Sequence, residues 1–311
     1  MSPKLQPAPR PRPTSWRNLR QGLAFTSLWI VGLSVFTAYP VLASLYYSFC
    51  DYSILKSPVW IGLENYHQLV HDEVFWKSLR NTLFYAALSV PLGTVVALSL
   101  ALLLNHDVRG RAFFRVCFYV PAIVPIVASS MLWMWILNGE FGLLNWALRP
   151  LLAPFGITPP TWLADPDWAK PALVLMSLWS TGNAMVIYLA GLQNVPRHLY
   201  ESASIDGAGA WHRFRHITVP TLAPVIYFNV IMALIGALQV FTQAFVLAAA
   251  YGEDPASGSP ARSTLFYTIY LYSTAFYDLR MGYASAMAYV LFVVIASLTW
   301  LATRLSRNAI D

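Results

Sequence analysis

The chain has 311 residues, of which 57% are hydrophobic and only 11% charged, and its formal net charge is +6. An ordinary soluble domain carries roughly 25% charged residues, so these charges are too few to cover a water-soluble fold of this size. That excludes a soluble enzyme, a disordered chain and a free nucleic-acid binder, and two cysteines cannot build a disulfide framework.

A membrane-crossing helix needs roughly 20 apolar residues. Six stretches qualify: 22–49, 81–104, 112–137, 171–193, 221–250 and 283–303. The composition and these runs predict an all-α integral membrane protein with six transmembrane helices. Only the third run contains a charge, Arg115, one turn from an end, where its stem can carry the guanidinium to the headgroups. Residues 1–21 form a basic tail with Lys4, Arg10, Arg12, Arg17 and Arg20. The apolar run behind it is too long for a signal peptide, so it reads as a retained first helix. The Pro–Arg alternation from Pro7 to Pro13 cannot be helical and reads as a loose tail.

Charge sets the orientation. With the N-terminus inside, 13 of the 20 Lys and Arg residues fall on the inner side, which places both termini in the cytoplasm. Cys50 and Cys117 then lie near opposite faces and should not pair. The outer segments 50–80, 138–170 and 251–282 are long. Within them 142–152 reads as a short helix on the membrane, and the Tyr-rich stretch 263–277 as an interfacial helix rather than a seventh span. His67 and His71 share a helix face, but with no third ligand they read as surface residues and no metal site is expected.

The inner segment 194–220 is more ordered than a connector needs to be. Pro196 can open a helix, Gly207 can end it in a left-handed conformation, and a second helix can run over 210–216 before Pro220 starts the fifth span. Such a helical hairpin can present a rigid surface to a soluble partner. The run from Glu201 to Pro220 resembles the EAA loop of ABC-importer permeases: Gly207 follows Glu201 by six residues, Ile217 follows by ten more, and Pro220 by three. Ser202 and Val219 depart from the usual Ala and Leu without changing a charge or a helix breaker. Gly62–Tyr66, Phe75–Thr82, Phe114-Arg115, Val120-Pro121, Leu132-Trp133 and Tyr188–Gln193 are similar to the carbohydrate branch of binding-protein-dependent permeases, on the side of the MalF/UgpA-like partner.

The resemblance implies a MetI-like type I importer fold in a bacterial cytoplasmic (inner) membrane. It also implies the partners: a second, MalG-like permease, two ATPase subunits, an extracytoplasmic sugar-binding protein, a sugar substrate, and no nucleic acid. ATP and Mg would sit on the ATPase, and this chain, with no phosphate-cradling Gly-rich run, would bind no cofactor and catalyse nothing. Carried over, Glu201, Ala203, Asp206, Gly207, Ile217 and Pro220 would form the ATPase-coupling surface, with Leu199, Trp211 and Phe214 as apolar contacts. For the substrate pathway, amides deep in a span need a polar partner. The fourth and fifth spans offer Trp179, Gly182, Asn183, Tyr188, Asn229, Gly236, Gln239, Phe241, Thr242 and Gln243. The alternative for each amide is helix–helix hydrogen bonding, and Gly182 and Gly236 read as packing positions. Every Asp and Glu lies in a loop or tail, which speaks against an ion-coupled secondary transporter, and no catalytic cluster sits in a span. The lack of Lys or Arg at mid-membrane favours a neutral sugar over glycerol 3-phosphate or another small polar solute.

Overall fold

The computed structural model describes residues 16–106, 109–250, 258 and 260–310. The basic residues Lys4, Arg10 and Arg12, the Pro7–Pro13 alternation, residues 251–257 of the third outer segment and the last residue of the C-terminal tail lie outside the described residues.

Helix α1 (Trp16–Leu33) passes through a π turn, Ser34–Ala38, into α2 (Tyr39–Tyr47). The π turn has a cause in the sequence. The ring of Pro40 would clash with the carbonyl four residues back. The Tyr39 N–H donates instead to Ser34 O, five residues back, and the widened turn carries the helix past the proline. A short antiparallel hairpin follows, β1 (Cys50–Ser53) and β2 (Lys56–Trp60), with Cys50 opposite Trp60. Its aromatics close on the end of α2: Phe49 stacks on Trp60 at 5.4 Å and Tyr47 on Tyr52 at 4.4 Å.

Helix α3 (Glu64–His71) leads into α4 (Glu73–Asn105), whose N-cap Asp72 accepts from Val74 N–H at 2.8 Å. Next come α5 (Arg111–Ile123) and α6 (Ile126–Ile136), bent by 102° at Val124-Pro125. A residue before proline is pushed out of the helical region, and Val124 is extended. Helix α7 (Leu143–Leu152) lies within segment 138–170, fastened by buried Asn145, which donates to Gly139 O and Pro160 O and accepts from Trp162 Nε1 at 2.7 Å. Helices α8 (Pro166–Trp179) and α9 (Gly182–Gln193) are bent by 46°. Then follow α10 (Arg197–Ile205), α11 (Ala210–Arg213), a second π turn Phe214–Thr218, α12 (Val219–Leu238), α13 (Thr242–Ala250), α14 (Tyr267–Phe276) and α15 (Met281–Ile310).

Among the described residues four helical stretches, one of them interrupted at 239–241, are long and apolar enough to cross a membrane: Leu19–Tyr47, Glu73–Asn105, Ala210–Ala248 and Met281–Arg304. The bent pairs α5–α6 and α8–α9 bring the crossings to as many as six. The stretch through α12 begins well before Pro220, where the sequence places a helix start. The reason matches the one at Pro40: Val219 N–H reaches Phe214 O, five residues back, so α11 runs into α12 without a stop.

Helix α4 is the centre of the bundle and packs on α8, α9, α12 and α14. Helix α14 differs from the membrane-surface helix that its tyrosines suggest. Phe266, Tyr267 and Ile269 are fully buried against α4 and α15. The polar ends of the tyrosines find partners inside: Tyr267 donates its hydroxyl to Met287 O and its N–H to Thr82 Oγ1, and Tyr270 and Tyr283 both donate to Asp72 Oδ2. Two sequence motifs act as anchors here. Asn65 donates to Ser48 O and Cys50 O, tying α3 to the end of α2, and Asn81 donates to Arg262 O and Leu265 O, tying α4 to the approach of α14. Cys50 is buried, Cys117 is exposed, and both are free.

Candidate functional site

Three spans are broken near their middles, at Val124-Pro125, Ser180-Thr181 and Gln239–Phe241. The breaks open onto one cleft of about 770 Å³ between α4, α9, α12 and α13. Asn183, Gln239, Phe241, Thr242 and Gln243 line it, as do Tyr188, Asn229 and Gly236. Helix α4 adds Tyr85, Ser89 and Thr94, and the end of α8 adds Ser177 and Ser180. Among the described residues its wall contains no Asp, Glu, Lys, Arg or His, so it offers amides, hydroxyls and aromatic faces only.

The remaining pathway candidates have other places. Trp179 sits edge-on to Trp133 at 5.9 Å, beside the cleft rather than in its wall. Gly182 is a packing position: a Cβ there would stand 2.5 Å from Phe118 O, so the glycine lets α9 approach α5. Gly236 is not, since a Cβ there meets nothing within 4 Å. Asn229 donates to Val225 O of its own helix at 2.9 Å. Sequence reasoning missed Tyr85, Ser89 and Thr94, because small hydroxyls along an apolar helix carry no signal that separates packing from binding.

At the opposite end of α12, α10 and α11 form the expected helical hairpin. Gly207 has φ +78, a conformation that strains other residues, and Ala208 N–H bonds Ala203 O while Gly207 N–H bonds Ser204 O. These two bonds are the Schellman closure of a helix end. The hairpin is stapled by Tyr200 to Thr218 at 2.9 Å and Arg213 to Ser204 at 2.8 Å. Ala203, Asp206, Gly207 and Ile217 line a depression of about 480 Å³ with His212 and His216. Glu201 and Pro220 are exposed but outside it, and the Glu201 and Asp206 carboxylates bond no side chain among the described residues. Asp206 stands at the C-terminal end of α10, where the helix dipole disfavours a carboxylate. Ile205 is 87% exposed and Trp211 71%, an apolar pair beside these acids. Ile205 is a surface residue that sequence reasoning passed over; its place on the face of α10 opposite Tyr200 is the signal.

Arg115 does not reach outward. With the Gln193 amide oxygen turned toward them, Arg111 and Arg115 donate to it at 3.1 and 3.0 Å, tying the start of α5 to the end of α9. His67 and His71 lie 4.6 Å apart, with His71 Nδ1 on His67 O, and among the described residues no three metal-ligating side chains cluster.

The model of the family described as "Binding-protein-dependent transport system inner membrane component" matches residues 89–310. The chain belongs to this family. The permease is 40% identical to a probable ABC transporter permease protein, YesP, of Bacillus subtilis, over 89% of this chain and 87% of that protein. It is 36% identical to the lactose transport system permease protein LacF of Rhizobium radiobacter (90% and 92% covered). It is 35% identical to the trehalose/maltose transport system permease protein MalF of Thermococcus litoralis (85% and 86% covered). Its fold matches a chain of a bacterial ABC transporter that imports the acidic polysaccharide alginate, with a TM-score of 0.78 at 24% identity, over 94% and 98% of the two chains.

Proposed function

We propose that this permease is one of two different membrane subunits of an ATP-driven, binding-protein-dependent sugar importer, with both termini in the cytoplasm of a bacterial cell. The cleft carries the reading: it lies where three spans break, and its wall holds the amide, hydroxyl and aromatic groups that suit a polyol. Its relatives LacF and MalF are named for lactose and for trehalose/maltose transport. The permease takes sugar from an extracytoplasmic binding protein; a solved complex with the same fold holds a periplasmic protein bound to an alginate pentasaccharide.

Transport proceeds by rocking one permease against the other around the cleft, so that it opens to one side at a time. The force comes from two ATPase subunits bound below, which hold ATP and Mg and carry out all the hydrolysis. Helix α10 enters a cleft of the ATPase. Glu201 pairs there with a basic group, Ile205 and Trp211 bury their apolar surface, and Gly207 keeps the bend rigid. A charge-assisted pair in a partly buried cleft resists rotation and so transmits motion.

The test is uptake of radiolabelled mono-, di- and oligosaccharides by cells lacking this chain, complemented with wild type or Glu201→Ala. Wild type restores uptake of one sugar class, and Glu201→Ala inserts normally but leaves ATP consumed without accumulation. Accumulation driven by an ion gradient with no ATP overturns the reading.

A further inference from the structure

Helix α5 is loosely held. None of its side chains is buried, and Phe113, Val116 and Val120 are exposed. Its N-cap, Gly110, gives no side-chain cap, and its other end meets α6 at the 102° bend of Val124-Pro125. It packs on α9 and only lightly on α4. Its position nevertheless matters to the cleft, because α6 opens just past that bend with Ile126, a residue of the cleft wall.

Helix α9 is held in the opposite way. Met185, Tyr188, Leu189 and Leu192 are buried in one cluster with Ala97, Ala101 and Leu104 of α4 and Leu222 of α12. Its end passes to α10 through Asn194, Val195 and Pro196 alone. Asn194 N–H bonds Gly191 O, Val195 N–H bonds Leu192 O, and the Val195 side chain is buried. Tyr200 of α10 is tied in turn to Thr218 at the approach to α12. A push on α10 therefore reaches α9 and α12 through packed side chains, but it reaches α5 mainly across the α5–α9 seam.

That seam is fastened at two levels. Beside the breaks, Gly182 lies against Phe118 O and Tyr119 Cα so closely that a Cβ would collide. Contact of this kind resists compression, but individual dispersion contacts hold only weakly against separation. At the other level the Gln193 amide oxygen, turned toward α5, accepts from Arg111 at 3.1 Å and from Arg115 at 3.0 Å. Two guanidiniums repel each other unless an acceptor lies between them, and α9 ends here, where the helix dipole favours cations. The Arg115 Nε is buried and makes no hydrogen bond among the described residues, so this guanidinium stands inside the seam rather than in water. Charge-assisted hydrogen bonds are the strong ones, and these resist separation.

We propose that Arg111, Arg115 and Gln193 are positioning residues for transport. They clamp α5 to the end of α9, so that a displacement of α10 carries α5, and with it the cleft wall at Ile126. This rests on the sugar-importer reading and names how the movement of α10 reaches the α5–α6 side of the cleft. Without the clamp α10 moves α9 and α12 while α5 lags, and ATP is consumed without the cleft changing sides.

The experiment reconstitutes the whole importer, with its second permease, ATPase and binding protein, in liposomes. It measures sugar accumulated per ATP hydrolysed and the KM for sugar, with radiolabelled maltose, lactose, glucose and galactose as probes. Gln193→Leu removes the shared acceptor and should lower the ratio about tenfold with KM unchanged, since hydrogen bonds to charged groups are lost. Gln193→Glu keeps an acceptor in the same place and should retain the wild-type ratio. Leu173→Ala removes a buried side chain of α8 outside this seam and should also retain it. A wild-type ratio in Gln193→Leu overturns the clamp. An equal loss in Gln193→Glu or Leu173→Ala also overturns it, since the cause would then be general destabilisation. ATP hydrolysis by the wild-type complex with none of the probes accumulated overturns the importer reading, and the clamp with it.

Discussion

At the scale of single residues, the end of the bundle that carries the β1–β2 hairpin is held by a few polar side chains buried among aromatics. Burial alone would raise the Asp72 carboxyl, but hydrogen bonds from Tyr270, Tyr283 and the Phe75 and Val74 amides outweigh it and leave its pKa below the ordinary carboxylate value. A group depressed in the folded state binds its proton more readily in the unfolded one. Its stabilisation is therefore full above the unfolded pKa and is lost as the pH falls through the lower, folded pKa. Thermal transitions of the wild type should fall steeply in that acid window, and Asp72→Asn should flatten the fall. A curve of unchanged shape would show that Asp72 does not link stability to pH. Asn65 gives a second case. It satisfies two carbonyls at once, Ser48 O and Cys50 O, from a buried position. Asn65→Ala leaves both unpaired, at about 1–3 kcal/mol, read as a lowered melting temperature.

At the scale of elements, glycines separate packing from conformation. Gly182→Ala forces a methyl against Phe118 O and should cost about 1–3 kcal/mol at the α5–α9 seam, whereas Gly236→Ala meets open space and should leave the melting temperature unmoved. If both melted alike, the seam would not be set by Gly182. Gly207→Val has room for its side chain but not for its φ of +78. A β-branched residue there should strain the loop by about 1–2 kcal/mol. The expected result is a chain that reaches the membrane, supports ATP hydrolysis with its partners, and does not accumulate sugar. How far such elements can be read from sequence depends on what makes them. Apolar runs and the glycine at 207 are written locally and could be seen at once. The break at Gln239 has no proline or glycine within it, and Val240 O there accepts from Thr268 Oγ1 on α14, a contact that no local pattern encodes. The hairpin at Cys50–Trp60 was hidden for the same reason: its strands are short, and stacking on the end of α2 stabilises them more than their alternation does. In the cleft, the amides Asn183, Gln239 and Gln243 stood out against apolar spans, while Ser89 and Thr94, small hydroxyls on an apolar helix, became visible only once α4 was seen to form part of the wall.

At the scale of the whole molecule, the bundle is unevenly held. The core lies around α4, where Leu173 of α8 and Leu238 of α12 are fully buried. The first span stands apart: its apolar side chains are exposed along its length, and only its end is fastened, through α15, β1 and the bond from Tyr289 to Val41 O. For a membrane helix such a surface is stable against lipid tails or another helix, so this span adds little to the chain's own cohesion. The two regions should respond differently to the same kind of substitution. Phe36 is 80% exposed, and Phe36→Ala should leave the melting temperature of the solubilised chain within about 0.5 kcal/mol of the wild type. Leu173→Ala removes a fully buried side chain from the seam between α4 and α8 and should destabilise by about 2–5 kcal/mol. Equal losses at the two sites would mean that the first span is packed into the bundle in solution. The expected contrast means that it is free to follow the membrane or a neighbouring subunit while the bundle around the cleft moves as a unit.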